Sequence, residues 1–412
     1  MPRAAFGALL CCLLFGLSAC GGTEIKPPRP PGNDNDSRAA AAAALLQKLG
    51  HGLLDQDRSG VLALAAPDRE SQDAVAAIYD NARDLKLSNI DFRYVDENQG
   101  SLDQRVTKDY GDKAWAANVN AAWRIPVYDP GVSHLGTRFT FVATGDGVRL
   151  ASVGGGSERG ALWLDGPLQI ARSADTLVLV TAGSPARLER MAEQAVDDVR
   201  KVLRGWRGRL VIELPGSESE LESVLGATKG EYSAIAAVTT TVDGTLVPGA
   251  PVHVFVNPNV FGGLGPRGSQ VVLSHEATHV ATAATFASMP TWLLEGFADF
   301  VALAHSDVPF RTAAAQILRQ VREKGAPNHL PTASELDPSA EVLGATYEEA
   351  WTVCRYLGKT YGERKMVAFY DAVDQGSSTQ QAFRKVLGTR QPSFVRGWRR
   401  DLVRLAGGEG GF

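Results

Sequence analysis

Residues 269–304 read SQVVLSHEATHVATAATFASMPTWLLEGFADFVALA, and this stretch decides how the second half of the chain is built. Its apolar residues recur at helical spacing in two blocks, one over about 270–286 and one after Pro290, with turn-forming residues between them. In the first block, His275, Glu276 and His279 form an HExxH pattern. Residues four apart on a helix share a face at about 6 Å of rise, so the two imidazoles can converge on one ion. Glu276 stands beside them without being a ligand, where it can serve as general base toward a water acidified by Zn2+. In the second block Pro290 suits a first helical turn, and Glu295 and Asp299 then share one face. Glu295 completes a His2Glu set for one zinc ion, with the fourth position open. Asp299, one turn on, can accept a hydrogen bond from the outer nitrogen of a zinc-bound imidazole and fix its tautomer. Taken alone, the two acids would read as the solvent face of an amphipathic helix. Next to HExxH they read as part of a metal site.

HEATH at 275–279 followed by PTWLLEGFADF at 290–300 resembles the gluzincin clan of zinc metallopeptidases, and within it the peptidase MA-like proteins in which HExxH precedes a WLxEGxA helix. The likeness covers roughly residues 175–405. It implies a compact peptidase domain with His275, His279 and Glu295 on zinc, Glu276 as the base and Asp299 behind a histidine. It also implies that residues 251–257 form the edge strand beside the cleft and pair with an extended peptide substrate. The downstream helix TYEEAWTVCRYLGKTYG is similar to a family helix with a tyrosine near its start, which makes Tyr347 the first candidate donor to an oxyanion. A tyrosine merely packed at a helix end is the alternative. His329 and Tyr232 are weaker candidates, and His253 in the proposed edge strand either touches substrate or is structural.

Outward from this stretch, strands are expected over 176–181, 209–213, 233–242 and 252–257, with an amphipathic helix over 185–203. Beyond Ser269 the chain reads as mainly helical, and the Gly- and Pro-rich run 261–269 reads as a loop over the cleft. A metallopeptidase-like domain is thus expected over 175–408. Before it, residues 39–168 open with helices over 40–64 and 72–85, then four strands over 90–95, 115–127, 137–144 and 148–153. That order resembles an NTF2-like cone, and with no catalytic cluster inside it the expected role is packing or spacing. The fold class is α+β. The terminal run 393–405 alternates Arg396, Arg399, Arg400 and Arg404 with apolar residues. It reads as a packed last helix with a basic outer face, or as a contact with an anionic membrane.

The 412 residues are 44% hydrophobic and 21% charged, enough to bury ordinary cores. A formal charge of −4 without long basic blocks gives no electrostatic case for nucleic acid. Arg3, the apolar run 4–17 and the small residues after it form a targeting segment over 1–19, too short for a permanent membrane helix. Leu17, Ser18, Ala19 and Cys20 resemble a bacterial lipobox, which implies a lipid on Cys20 and a protein anchored at the outer face of the cell membrane. The alternative is an ordinary secretory signal. Residues 20–38, with Pro27, Pro28, Pro30 and Pro31, read as an extended tether. Cys354 is then left alone in an apolar helical pattern, as a buried thiol. Two functions compete: a membrane-anchored zinc peptidase acting on a peptide or protein substrate, and a non-catalytic or autoinhibited zinc-binding lipoprotein that serves as a scaffold.

Overall fold

The computed structural model describes residues 34–156, 158–337 and 343–408. The targeting segment, Cys20 and most of the tether lie outside the described residues. Among these residues no helix is long and apolar enough to cross a membrane.

The architecture is α+β, built on two sheets. The Ala-rich helix Asp34–Leu54 ends earlier than its composition predicts: Gln56 turns left-handed at φ 57°, and Asp57 caps a separate short helix, Arg58–Leu62. Asp68 caps the next helix, Arg69–Leu85, by accepting a hydrogen bond from the Ser71 amide. Four antiparallel strands follow in meander order, β1 (Ser88–Asn98), β2 (Ala114–Arg124), β3 (Ser133–Thr144) and β4 (Gly147–Val153). Register places Trp115 opposite Phe141 and Ala117 opposite Phe139, so aromatic rings gather on one face. Trp163, from the turn Leu162–Leu164, meets Trp123 edge-on at 5.7 Å and closes that cluster.

The second sheet runs β5 (Gln169–Arg172), β6 (Thr176–Val180), β7 (Leu210–Leu214), β9 (Val252–Val256), β8 (Ala237–Thr241), in that spatial order. Pairs β6/β7 and β7/β9 are parallel, and the helix Ala186–Val202 makes the crossover from β6 to β7. β5, which fell between the two expected domains, pairs antiparallel with β6 and belongs to this sheet. Period-two alternation divides the sheet between two cores. Leu177, Leu179, Val211 and Phe255 join the aromatic cluster of the first sheet. Val178, Val180, Leu210, Ile212, Val254 and Val256 join the helical half. The second sheet is therefore the middle layer, and the N-terminal half is packed directly on its back.

The structure corrects the expected edge strand. Residues 252–256 lie inside the sheet between β7 and β8, and the edge on that side is β8. Burial explains the placement: His253 through Val256 are all buried, as suits a strand flanked on both sides. In β8, Val238, Thr239 and Thr240 are only partly buried. His253 consequently faces no substrate. Its Nδ1 lies 2.7 Å from Glu213 Oε1 and its Nε2 3.0 Å from Asp129 Oδ1, and all three side chains are almost completely buried. Asp129 belongs to the connection between β2 and β3, so this triad stitches the first sheet to the second. Burial opposes charge on the imidazole, but the two carboxylates outweigh it and raise the His253 pKa to about 9.

The expected loop 261–269 is also largely helical. Asn257 caps a short helix, Pro258–Gly262, and the next helix already starts at Pro266. At the chain's end, Gln391–Ala406 is a packed helix that buries Phe394, Trp398, Leu402 and Leu405. Cys354 is a buried free thiol.

Candidate metal centre

Three helices assemble the site: the motif helix Pro266–Ala281, the ligand helix Thr291–Ala304 and the tyrosine helix Leu343–Tyr361. The motif helix buries Leu273 and Ala277 in the helical core. Ser274 Oγ donates to the buried Asp198 Oδ2 at 3.0 Å, which fixes this helix on the crossover helix and turns His275 and His279 the other way. The helix stops at Ala281, short of the expected 286, because Ala283 takes a left-handed conformation at φ 50° and starts the return toward Pro290.

The ligand helix comes close enough because of Gly296. A methyl group there would stand 2.4 Å from the Ala350 carbonyl oxygen of the tyrosine helix and 3.0 Å from Cys354 Sγ. We expect Gly296→Ala to force the two helices apart, lower stability by about 1–3 kcal/mol and displace the neighbouring Glu295. A denaturation midpoint and a metal titration of the same variant check both effects.

His275 Nε2 and His279 Nε2 lie 2.9 Å apart, and Glu295 Oε2 lies 3.2 Å from the first and 3.4 Å from the second. Ligands on a tetrahedral ion with bonds near 2.0–2.1 Å stand about 3.3 Å apart, so the three donors match one face of such a tetrahedron. This His-His-Glu group can hold a metal ion. Asp299 Oδ1 accepts a hydrogen bond from His275 Nδ1 at 2.8 Å, which keeps a proton on Nδ1 and turns Nε2 toward Glu295 and His279, where an ion could replace any proton it carries. Burial disfavours charge on His275, yet Asp299 and Glu295 beside it hold its pKa well above the ordinary imidazole value. Burial likewise works against Glu295 as an anion, and the two histidines reverse that and hold its carboxyl well below the usual range. A cation is what this cluster favours.

Glu276 points into the same space. Its Oε2 accepts a hydrogen bond from Thr239 Oγ1 at 2.6 Å, so the edge strand β8 orients the carboxylate. Thr239 had no role in the sequence reading, since a threonine 37 residues from its partner leaves no local signature. Tyr347 lies in the second turn of its helix and lines the cleft together with His275, Glu276, His279, Glu295 and Asp299. Burial, and then the charges of Glu295, Asp299 and Glu276, push its phenol well above the ordinary value, so it remains an O–H donor at neutral pH. The cleft has a volume of about 490 Å³ and is bordered by β8 through Ala237, Val238 and Thr239, with Val271, Val272 and Leu294 as apolar walls. His329 and Tyr232 do not line it. The structure thus brings together His275, Glu276, His279, Glu295, Asp299 and Tyr347, and leaves out His253, His329 and Tyr232.

No protein-family model matches the chain, and no curated protein is significantly similar to it in sequence.

Proposed function

We propose that this protein is a zinc-dependent peptidase of gluzincin type, carried on a lipid at Cys20 at the outer face of a bacterial membrane. The observation that carries the reading is the convergence of three metal-ligating donors with an oriented carboxylate in one open cleft beside a free sheet edge. Two histidines and one carboxylate are the donor set that suits zinc and keeps a coordination position open. When bound, zinc supplies Lewis acidity that acidifies water and polarises a carbonyl.

The chain's own groups do the rest. β8 offers unpaired main-chain groups on its outer side, to which an extended peptide can add as a further strand. Glu276, held by Thr239, accepts the proton of the attacking water and returns it to the leaving amine. Tyr347, kept protonated by burial and then by its acidic neighbours, donates a hydrogen bond to the oxygen on which negative charge develops. Asp299 holds His275 in the tautomer that ligation needs.

The test is metal analysis of the purified chain together with a peptide-library digest. About one zinc per chain, and cleavage that stops with a chelator and returns on adding zinc, is the expected result. Folded protein that takes up no zinc would remove the basis of the proposal. Bound zinc without cleavage of any peptide would favour a binding scaffold.

A further inference from the structure

A second concavity, in the helical half, is lined by Arg384, Arg390, Arg396 and Arg399, with His329 and Gln391 beside them. Its volume is about 570 Å³, and no Asp or Glu is among its lining residues. The local fold explains why these arginines meet. Arg384 lies in the last turn of the helix Thr379–Lys385, a short turn follows through Gly388 at φ 66°, and Arg390 stands immediately before Gln391–Ala406. On that last helix the apolar stripe of Phe394, Trp398 and Leu402 is buried, and Arg396 and Arg399, three residues apart, share another face.

Several arginines elsewhere in the molecule are in ion pairs, as Arg200 is with Asp175 at 2.6 Å and Arg38 with Glu97 at 2.5 Å. None of these four makes an ion pair among the described residues. Arg396 donates only to Ser393 Oγ at 2.9 Å, and Arg399 reaches the Ala326 carbonyl at 3.4 Å. The Arg399 Nε atom is buried without a hydrogen-bond partner, although burial of an unsatisfied donor is costly. The positive end of a 16-residue helix, which has no side-chain cap, opens at the same place. Four guanidinium groups repel one another around one cavity, in a chain whose formal net charge is −4. A multivalent oxyanion removes that repulsion and satisfies several forked donors at once.

We propose that this cavity is a binding site for a phosphate group, supplied either by a free phosphate or by the headgroup of an anionic phospholipid. The proposal is independent of the metal centre and its chemistry. The cavity exceeds what a lone phosphate fills, which leaves room for a substituent on the ester oxygen. In a protein tethered to a bilayer, a headgroup seated here would hold the helical half against the membrane surface.

The full chain is titrated calorimetrically at matched ionic strength in two arms, with inorganic phosphate and with monomeric dihexanoyl-phosphatidylglycerol. The double variant Arg384→Gln/Arg390→Gln is run in parallel. Both arginines are exposed, so the variant should retain the wild-type circular dichroism spectrum. The expected result is saturable binding with a dissociation constant below about 1 mM in at least one arm, weakened roughly tenfold or more in the variant. Binding in the phosphate arm names a free phosphate as sufficient, and binding in the lipid arm alone names the headgroup. Absence of saturable binding in both arms, or binding of equal strength in the variant, overturns the proposal.

Discussion

If the chain is the proposed peptidase, Glu276→Gln is expected to lower its peptide hydrolysis by roughly 10²–10⁴-fold while leaving fold and metal uptake unchanged. The substitution conserves volume and leaves an amide oxygen to accept the hydrogen bond from Thr239 Oγ1, so the edge strand stays in place. His275, His279 and Glu295 are untouched, and metal content should match wild type. What disappears is the carboxylate assigned as proton acceptor in the proposed reaction, and the effect should therefore fall on kcat rather than on KM. Thr239→Val separates orientation from proton transfer. It keeps the carboxylate but removes the hydroxyl that aims it, so a smaller fall in kcat is expected, restored by Thr239→Ser. A Glu276→Gln protein that cleaves peptides at the wild-type rate would eliminate Glu276 as the base. Loss of zinc in the same variant would show instead that this side chain is needed to build the site.

The metal cluster was legible in the sequence because helical spacing is local information. His275 and His279 are four apart, as are Glu295 and Asp299, and each pair lands on one face whatever the rest of the chain does. Tyr347 needed both a resemblance and the structure, since nothing along its helix tells which way it points. The edge strand was misplaced because the likeness to a family outweighed a signal already present. The sequence 252–256, VHVFV, is apolar nearly throughout and suits an interior strand, whereas 237–241, AVTTT, carries three threonines and suits an edge. The hydrogen bonds from Thr239 to Glu276 and from Ser274 to Asp198 join residues 37 and 76 positions apart, and no local periodicity encodes such contacts. The same holds for the arginine-lined cavity. Arg396 and Arg399 read as the outer face of a terminal helix, and only the fold shows that the preceding helix brings Arg384 beside them.

The most severe destabilisation is expected from His253→Gln, far from any substrate. His253 is separated by 40 residues from Glu213 and by 124 from Asp129, so the triad could be read only from the fold. Removing the imidazolium leaves two carboxylates buried close together with no cation between them. Breaking a buried ion pair from one side costs about 3–5 kcal/mol, a large share of the stability of an ordinary domain. The pH dependence identifies the cause. The pKa of His253 is about 9 in the folded chain, against an ordinary value of about 6.5 once unfolded. A raised histidine pKa contributes stability that is fully present below pH 6.5 and is lost as the pH rises through 9. Over that window the linkage amounts to about 3 kcal/mol. Urea denaturation of wild type should therefore show a midpoint that falls from pH 6.5 to 10, while the His253→Gln midpoint is lower throughout and its fall over the same range is smaller. Glu213→Gln should be milder than either carboxylate left unpaired, because His253 and Asp129 then remain as a neutralised pair. The damage also reaches the cleft: His253 is the register partner of Thr240 in β8, next to the Thr239 that orients Glu276. Loosening the triad should accordingly reduce any hydrolysis before the chain unfolds globally, and equal midpoints for wild type and His253→Gln at pH 6.5 would show that the triad contributes nothing to holding the two sheets together.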